Sequence, residues 1–183
     1  MDNQASAPAF AHRRTIDCQT VEREDGMWQL EATLYDFKGA PFPTAKGTVM
    51  PGEALHHIRL TLVFNEDLKI QEAQTRLFSG PSHECRHVDT SYAALVGMTL
   101  GPGFSRKAQE CFGGVLGCTH MNELLPVAVT VAIQTAFAKR AEGGPAALAP
   151  YRRLFENQCR TWRSDGPAMQ AVSKAMQESG PSS

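Results

Sequence analysis

Around Ser79-Gly80-Pro81-Ser82 the hydrophobic period of this chain changes from two to about 3.6, and that change limits the folds open to it. Before it, Met27 to Phe37 alternates, with Trp28, Leu30, Ala32 and Leu34 on one face and Gln29, Glu31, Thr33 and Tyr35 on the other. His56 to Phe64 repeats the alternation, and Leu68 to Ala73 follows after a turn at Asn65-Glu66-Asp67. Half-buried strands joined by short turns, such as Glu24-Asp25-Gly26, read as an antiparallel meander over about 15–77. The Pro- and Gly-rich stretch Gly39 to Gly52 is a loop with room for one short strand.

After the switch the pattern is helical. Short helices are expected over Thr90 to Met98 and Pro102 to Cys111, the second with a proline in its first turn and Gly113-Gly114 beyond its end. The main helix runs from about Thr119, its expected cap, to Lys139, where Lys139 and Arg140 suit the negative end of the helix dipole. Leu148, Tyr151, Leu154, Phe155, Cys159 and Trp162 give Leu148 to Trp162 an amphipathic spacing, predicting a further helix. Strands first and helices afterwards make an α+β fold: a β-meander in the N-terminal half, with the C-terminal helices packed on one sheet face. The expected organisation is a flexible N-terminus over 1–12, a single α+β domain over 13–163, and a polar, disordered tail over 164–183.

Composition narrows the partners. The 183 residues are 42% hydrophobic and 20% charged, enough for one sizeable core, and the net charge of −1 supplies no field to recruit nucleic acid or an anionic membrane. The longest apolar run, Leu124 to Ala138, is interrupted by Pro126, Thr130, Gln134 and Thr135, so no segment is expected to span a membrane. Met1 to Ala11 lacks a hydrophobic signal core, and a cytoplasmic protein is expected. The five cysteines form no Cys-x-x-Cys pair, which argues against a zinc ribbon or a thioredoxin-like site and leaves them as thiols.

The chemistry concentrates at Gly117-Cys118-Thr119-His120-Met121-Asn122-Glu123-Leu124-Leu125. Residues at i and i+3 share a helix face, so His120 and Glu123 can converge on one point near the positive end of the helix. Such a pair supplies two metal ligands from one helix, or an acid and a base. His56 lies on the core face of its strand with Ile58, Leu60 and Leu62, the face that the most apolar helix must cover, so His56, His120 and Glu123 can meet; His57 points the other way. At the crossover from sheet to helices, His83-Glu84-Cys85-Arg86-His87 offers Cys85 as a thiolate ligand or nucleophile. Cys118, near a helix N-terminus, sits where a thiol's pKa is lowered.

Leu55-His56, Pro81-Ser82-His83-Glu84-Cys85, Leu95-Val96-Gly97, Gly101-Pro102-Gly103-Phe104 and the Gly117 to Leu125 segment occur in the order and spacing of a bacterial family. The chain resembles the family of domains of unknown function numbered 2889, whose signature reads like Gly-Cys-Thr-His-Leu-x-Glu-Leu, with Met121 here in place of the usual leucine. The resemblance covers about 13–139 and marks His56, Cys85, Cys118, His120 and Glu123. It implies a companion of enzymes that break down small, often aromatic or acyl, compounds.

Two functions follow. One is a lyase or hydrolase acting on an aromatic or acyl intermediate, with His56, His120, Glu123 and Cys85 as catalytic residues. In that case His56, His120 and Glu123 can hold one divalent ion, zinc or iron, or Glu123 can remain a base. The other is a non-catalytic ligand-binding or partner-assembly module, in which the same residues form a buried polar network. No nucleotide cofactor is expected, because phosphate-binding glycine loops are absent, and no Gly-x-Ser-x-Gly elbow marks a serine hydrolase. The partner is a small molecule, with no role for nucleic acid or membrane, and a homo-oligomer is compatible with either reading.

Overall fold

A computed structural model describes residues 10–178. Four strands form one antiparallel sheet: β1 (His12–Glu22), β2 (Trp28–Lys38), β5 (Ala54–Phe64) and β6 (Ile70–Ser79), in the spatial order β1-β2-β5-β6. The Pro- and Gly-rich loop between β2 and β5 holds a small separate hairpin, β3 (Phe42–Thr44) and β4 (Gly47–Val49). Gly26, at φ +76°, closes the β1–β2 turn in a conformation that a side chain would strain. The expected meander is therefore present, extended at its start to His12.

Alternation decides what the sheet buries. Leu30, Ala32 and Leu34 of β2 and Ile58, Leu60 and Leu62 of β5 are fully buried on one face. Each leucine or isoleucine side chain buried there contributes about 1.5–3 kcal/mol. On the opposite face His57 stacks between Tyr35 and Phe78, with ring centroids 4.3 and 4.2 Å away.

Helices cover only the core face. The crossover forms a 3-10 turn (His83–His87), α1 (Val88–Ser91) and a second 3-10 turn (Tyr92–Leu95) beside β6. Then come α2 (Phe104–Phe112) and α3 (Thr119–Ala141). Met121, Leu124, Leu125, Ala128, Ala132 and Ala136 of α3 are buried, and the helix lies across β1, β2 and β5. The fold is α+β, with the helices on one sheet face.

Four expectations along the helical half are corrected, the first being the short helix over Thr90 to Met98, which is instead α1 followed by the 3-10 turn Tyr92–Leu95. Cys118, not Thr119, is the N-cap of α3, and it makes no side-chain capping bond. The stretch expected as one helix over Leu148 to Trp162 is instead a run of 3-10 turns, Pro145–Leu154, followed by further turns. Pro150 inside the run removes a backbone donor and blocks a regular α-helix, although the amphipathic spacing still buries Leu148 and Phe155. The segment expected to be a disordered tail contains α4 (Pro167–Glu178), whose Met169 and Val172 complete a small second core with Leu148 and Phe155. Residues 179–183, and 1–9 of the N-terminus expected to be flexible, lie outside the described residues.

By length and composition alone α3 is apolar enough to cross a membrane, a test that a core helix also passes, although no segment was expected to qualify. Pro126, Thr130, Gln134 and Thr135 do not offset the Val, Ala and Ile residues between them. One third of the helix's most apolar stretch is buried, and α3 packs on the 3-10 run Pro145–Leu154 as well as on the sheet.

Candidate active site

The polar cluster begins with register. Arg14 on β1 pairs across to Asp36 on β2, and Asp36 pairs to His56 on β5, so three polar residues form one row across three strands. Asp36 continues the core-facing series Trp28, Leu30, Ala32, Leu34 and is only 1% exposed. The pairing of β2 with β5 shifts here: Asp36 faces His56 while Phe37 faces Ala54, which leaves Leu55 as a bulge. The bulge turns Leu55 and His56 inward together, and both are buried.

Four basic side chains surround the Asp36 carboxylate. Arg14 donates from Nε to Oδ1 and from Nη2 to Oδ2, each at 2.7 Å. His56 Nδ1 lies 3.0 Å from Oδ2, and His120 Nε2, at the start of α3, lies 3.5 Å from the same oxygen. His12 Nε2 is 3.3 Å from Oδ1. The third guanidinium nitrogen of Arg14, Nη1, donates to Glu123. The rings of His56 and His120 stack with centroids 3.6 Å apart. On the far side of its ring, His120 Nδ1 is 3.9 Å from Cys118 Sγ.

This arrangement fixes the charges. Burial pushes the Asp36 carboxyl up, but the hydrogen bonds and charge of Arg14 outweigh it and hold the group below its ordinary value, so Asp36 is ionised. Burial is also the largest influence on His56, reinforced by His120, and lowers it to about 4 against the pull of Asp36. His120 is lowered by burial and then by Arg14, with Asp36 and Glu123 opposing. Both imidazoles are therefore neutral at pH 7. An ionised carboxylate only accepts hydrogen bonds, so the ring nitrogen facing it carries the proton. That makes His56 the Nδ1–H tautomer and His120 the Nε2–H tautomer, leaving a basic lone pair on His120 Nδ1.

Of the residues singled out from sequence, His56 and His120 are brought together. Glu123 joins the cluster only through Arg14, and its side chain is 43% exposed. The carboxylate that both imidazoles share is Asp36. Cys85 stands apart on the crossover turn, where it and Cys118 line a groove of about 480 Å³ with Val88, Tyr92 and Leu116. His83 lies on the same turn, and His87 pairs with Glu84 at 3.0 Å. A larger depression of about 600 Å³, on the opposite sheet face among Glu31, Arg59 and Arg76, shares no residue with the Asp36 cluster.

Sequence reading missed Asp36, Arg14 and His12. The signal for Asp36 was present: one more step of the period-two series from Leu34 puts a carboxylate on the core face, where it needs partners. Arg14 and His12 become visible only once the β1–β2 register is known.

Asp36, His56 and His120 each present a ligand atom within 4.8 Å of the others, so the three could hold a metal ion. The oxygen–nitrogen separations of 3.0 and 3.5 Å suit such a site. The ring stacking suits it less. An ion bonded at about 2.0 Å sits roughly 3 Å from each imidazole centroid, which places two tetrahedral imidazoles about 5 Å apart. His56 and His120 would have to part from 3.6 Å.

A family model described as Protein of unknown function (DUF2889) matches residues 12–134. The matched span runs from the first residue of β1 well into α3 and contains every member of the Asp36 cluster. No curated protein and no solved structure matches the chain.

Proposed function

The chain belongs to the DUF2889 family, and from that premise we propose that it is an acid–base enzyme, a lyase or hydrolase of a small, partly apolar compound such as an aromatic or acyl intermediate. The observation that carries this reading is one oxygen of a buried, Arg14-clamped carboxylate facing two neutral imidazoles, one from the sheet and one from a helix start. His120 is the base. Its Nδ1 lone pair takes a proton from the substrate, or from water in a hydrolysis, and later returns it to the leaving group. Asp36 stabilises the imidazolium formed in between, and Glu123 lies close enough to add to that field. Arg14 keeps Asp36 ionised, while His56 holds the carboxylate in place.

A second reading makes Asp36, His56 and His120 the ligands of a zinc or iron ion, favoured by the 4.8 Å clustering of their donor atoms. A turnover screen with esters and β-hydroxycarbonyl compounds tests both, comparing wild-type protein, chelator-treated protein and His120→Gln. Turnover that survives chelation and falls at least ~100-fold in His120→Gln supports the acid–base reading. Turnover abolished by chelation and restored only by zinc or iron overturns it in favour of the metal. Compounds that bind without turnover overturn it in favour of a non-catalytic ligand-binding module.

A further inference from the structure

We infer that the groove between the crossover turn and the Val115–Leu116 turn is the substrate's seat, and that it takes an uncharged compound with an apolar, ring-sized body. This deepens the reading of His120 as the base and rests on it. Val115 is 102% exposed and Leu116 61%, at the tip of a turn between Gly114 and Gly117. Aliphatic side chains left in water gain the free energy of burial when an apolar ligand covers them. The facing wall holds the buried Val88 and Tyr92. The Tyr92 hydroxyl is already engaged, donating to Asn122 Oδ1 at 2.7 Å and accepting the Cys118 N–H at 2.9 Å.

The groove's volume of about 480 Å³ suits a single small molecule. Cys118 is part of its lining, and its sulfur is 3.9 Å from the basic nitrogen of His120. Its lining contains no lysine or arginine, and its two charged-type side chains, Glu84 and His87, pair with each other. A phosphate or a carboxylate on the ligand would find no cation there, which excludes phosphorylated and nucleotide compounds.

Fluorescence titration with the uncharged dye phenylnaphthylamine tests the inference. Saturable binding is expected, weakened at least tenfold by Leu116→Asp, which charges one wall, and by Ser91→Trp, which fills the space. Both positions reach solvent, and an unchanged melting temperature verifies each fold. His120→Gln is expected to bind the dye like wild type, so a failure of the base reading shows in the turnover screen and not here. Equal dye binding by wild type and both groove variants overturns the assigned seat. Displacement of the dye by pyrophosphate overturns the uncharged class.

Discussion

Arg14 on the edge strand grips both oxygens of Asp36 on the neighbouring strand, each at 2.7 Å, although Asp36 is almost completely buried and Arg14 is not. The pair does three things at once: it satisfies a carboxylate in the core, ties β1 to β2 beneath α3, and through Nη1 links the sheet to Glu123. Removing one member of a buried pair costs more than the pair contributes, because the remaining charge is left uncompensated. Arg14→Met is expected to destabilise the protein by about 2–4 kcal/mol, discounted because solvent reaches the guanidinium. Urea denaturation measures it, and a loss under ~0.5 kcal/mol would show that the clamp is not a structural element.

Acid should weaken the fold through its buried imidazoles. An unfolded His56 takes up a proton as the pH falls through 6.5, whereas burial, then His120, hold the folded residue at about 4. The unfolded state binds more protons between these values, so stability present above pH 6.5 is lost as the pH falls toward 4. His120, lowered mainly by burial, acts in the same direction. The loss due to His56 is on the order of 3 kcal/mol. Denaturation across this range should show that slope in wild type and a shallower one in His56→Gln.

Tyr92 holds the start of α3 in place. Its hydroxyl accepts the Cys118 N–H and donates to Asn122, while Asn122 Nδ2 donates to the Phe112 carbonyl at 2.7 Å. Gly117 belongs to the same contact, since a Cβ there would come within 2.4 Å of the Phe112 carbonyl oxygen and 2.8 Å of the Tyr92 hydroxyl. Tyr92→Phe leaves the Cys118 amide unpaired and is expected to cost about 1–3 kcal/mol. Hydrogen exchange at that amide should accelerate, and an unchanged rate would mean that the hydroxyl is not its protector.

Much of this was legible in the residues, and the exceptions have physical causes. Strand alternation carried the sheet, its buried face and the inward direction of His56, because each follows from local period. The meeting of His56 with His120 followed from burial, since only one helix was apolar enough to cover that face. Register was not legible, and it is register that puts Arg14, Asp36 and His56 in one row. Helix spacing made Glu123 the natural partner of His120, but an exposed guanidinium–carboxylate pair drew its side chain to Arg14. Amphipathic spacing at Leu148 to Trp162 located the buried Leu148 and Phe155 but not the exposed Cys159, and it gave the backbone incorrectly, because spacing does not register what Pro150 does to hydrogen bonding. In α4, Met169 and Val172 sit at i and i+3 among alanines and polar residues, too short a stripe to stand out.

The central claim is that His56 and His120 are neutral and oriented by one ionised carboxylate, with the basic nitrogen of His120 turned toward Cys118. Long-range nitrogen–proton NMR of the imidazoles at pH 7 tests it most directly, with His56→Gln and His120→Gln used to assign the signals. The account predicts the Nδ1–H tautomer for His56, the Nε2–H tautomer for His120, and neither ring doubly protonated. An imidazolium at either position, or a proton on Nδ1 of His120, would contradict it.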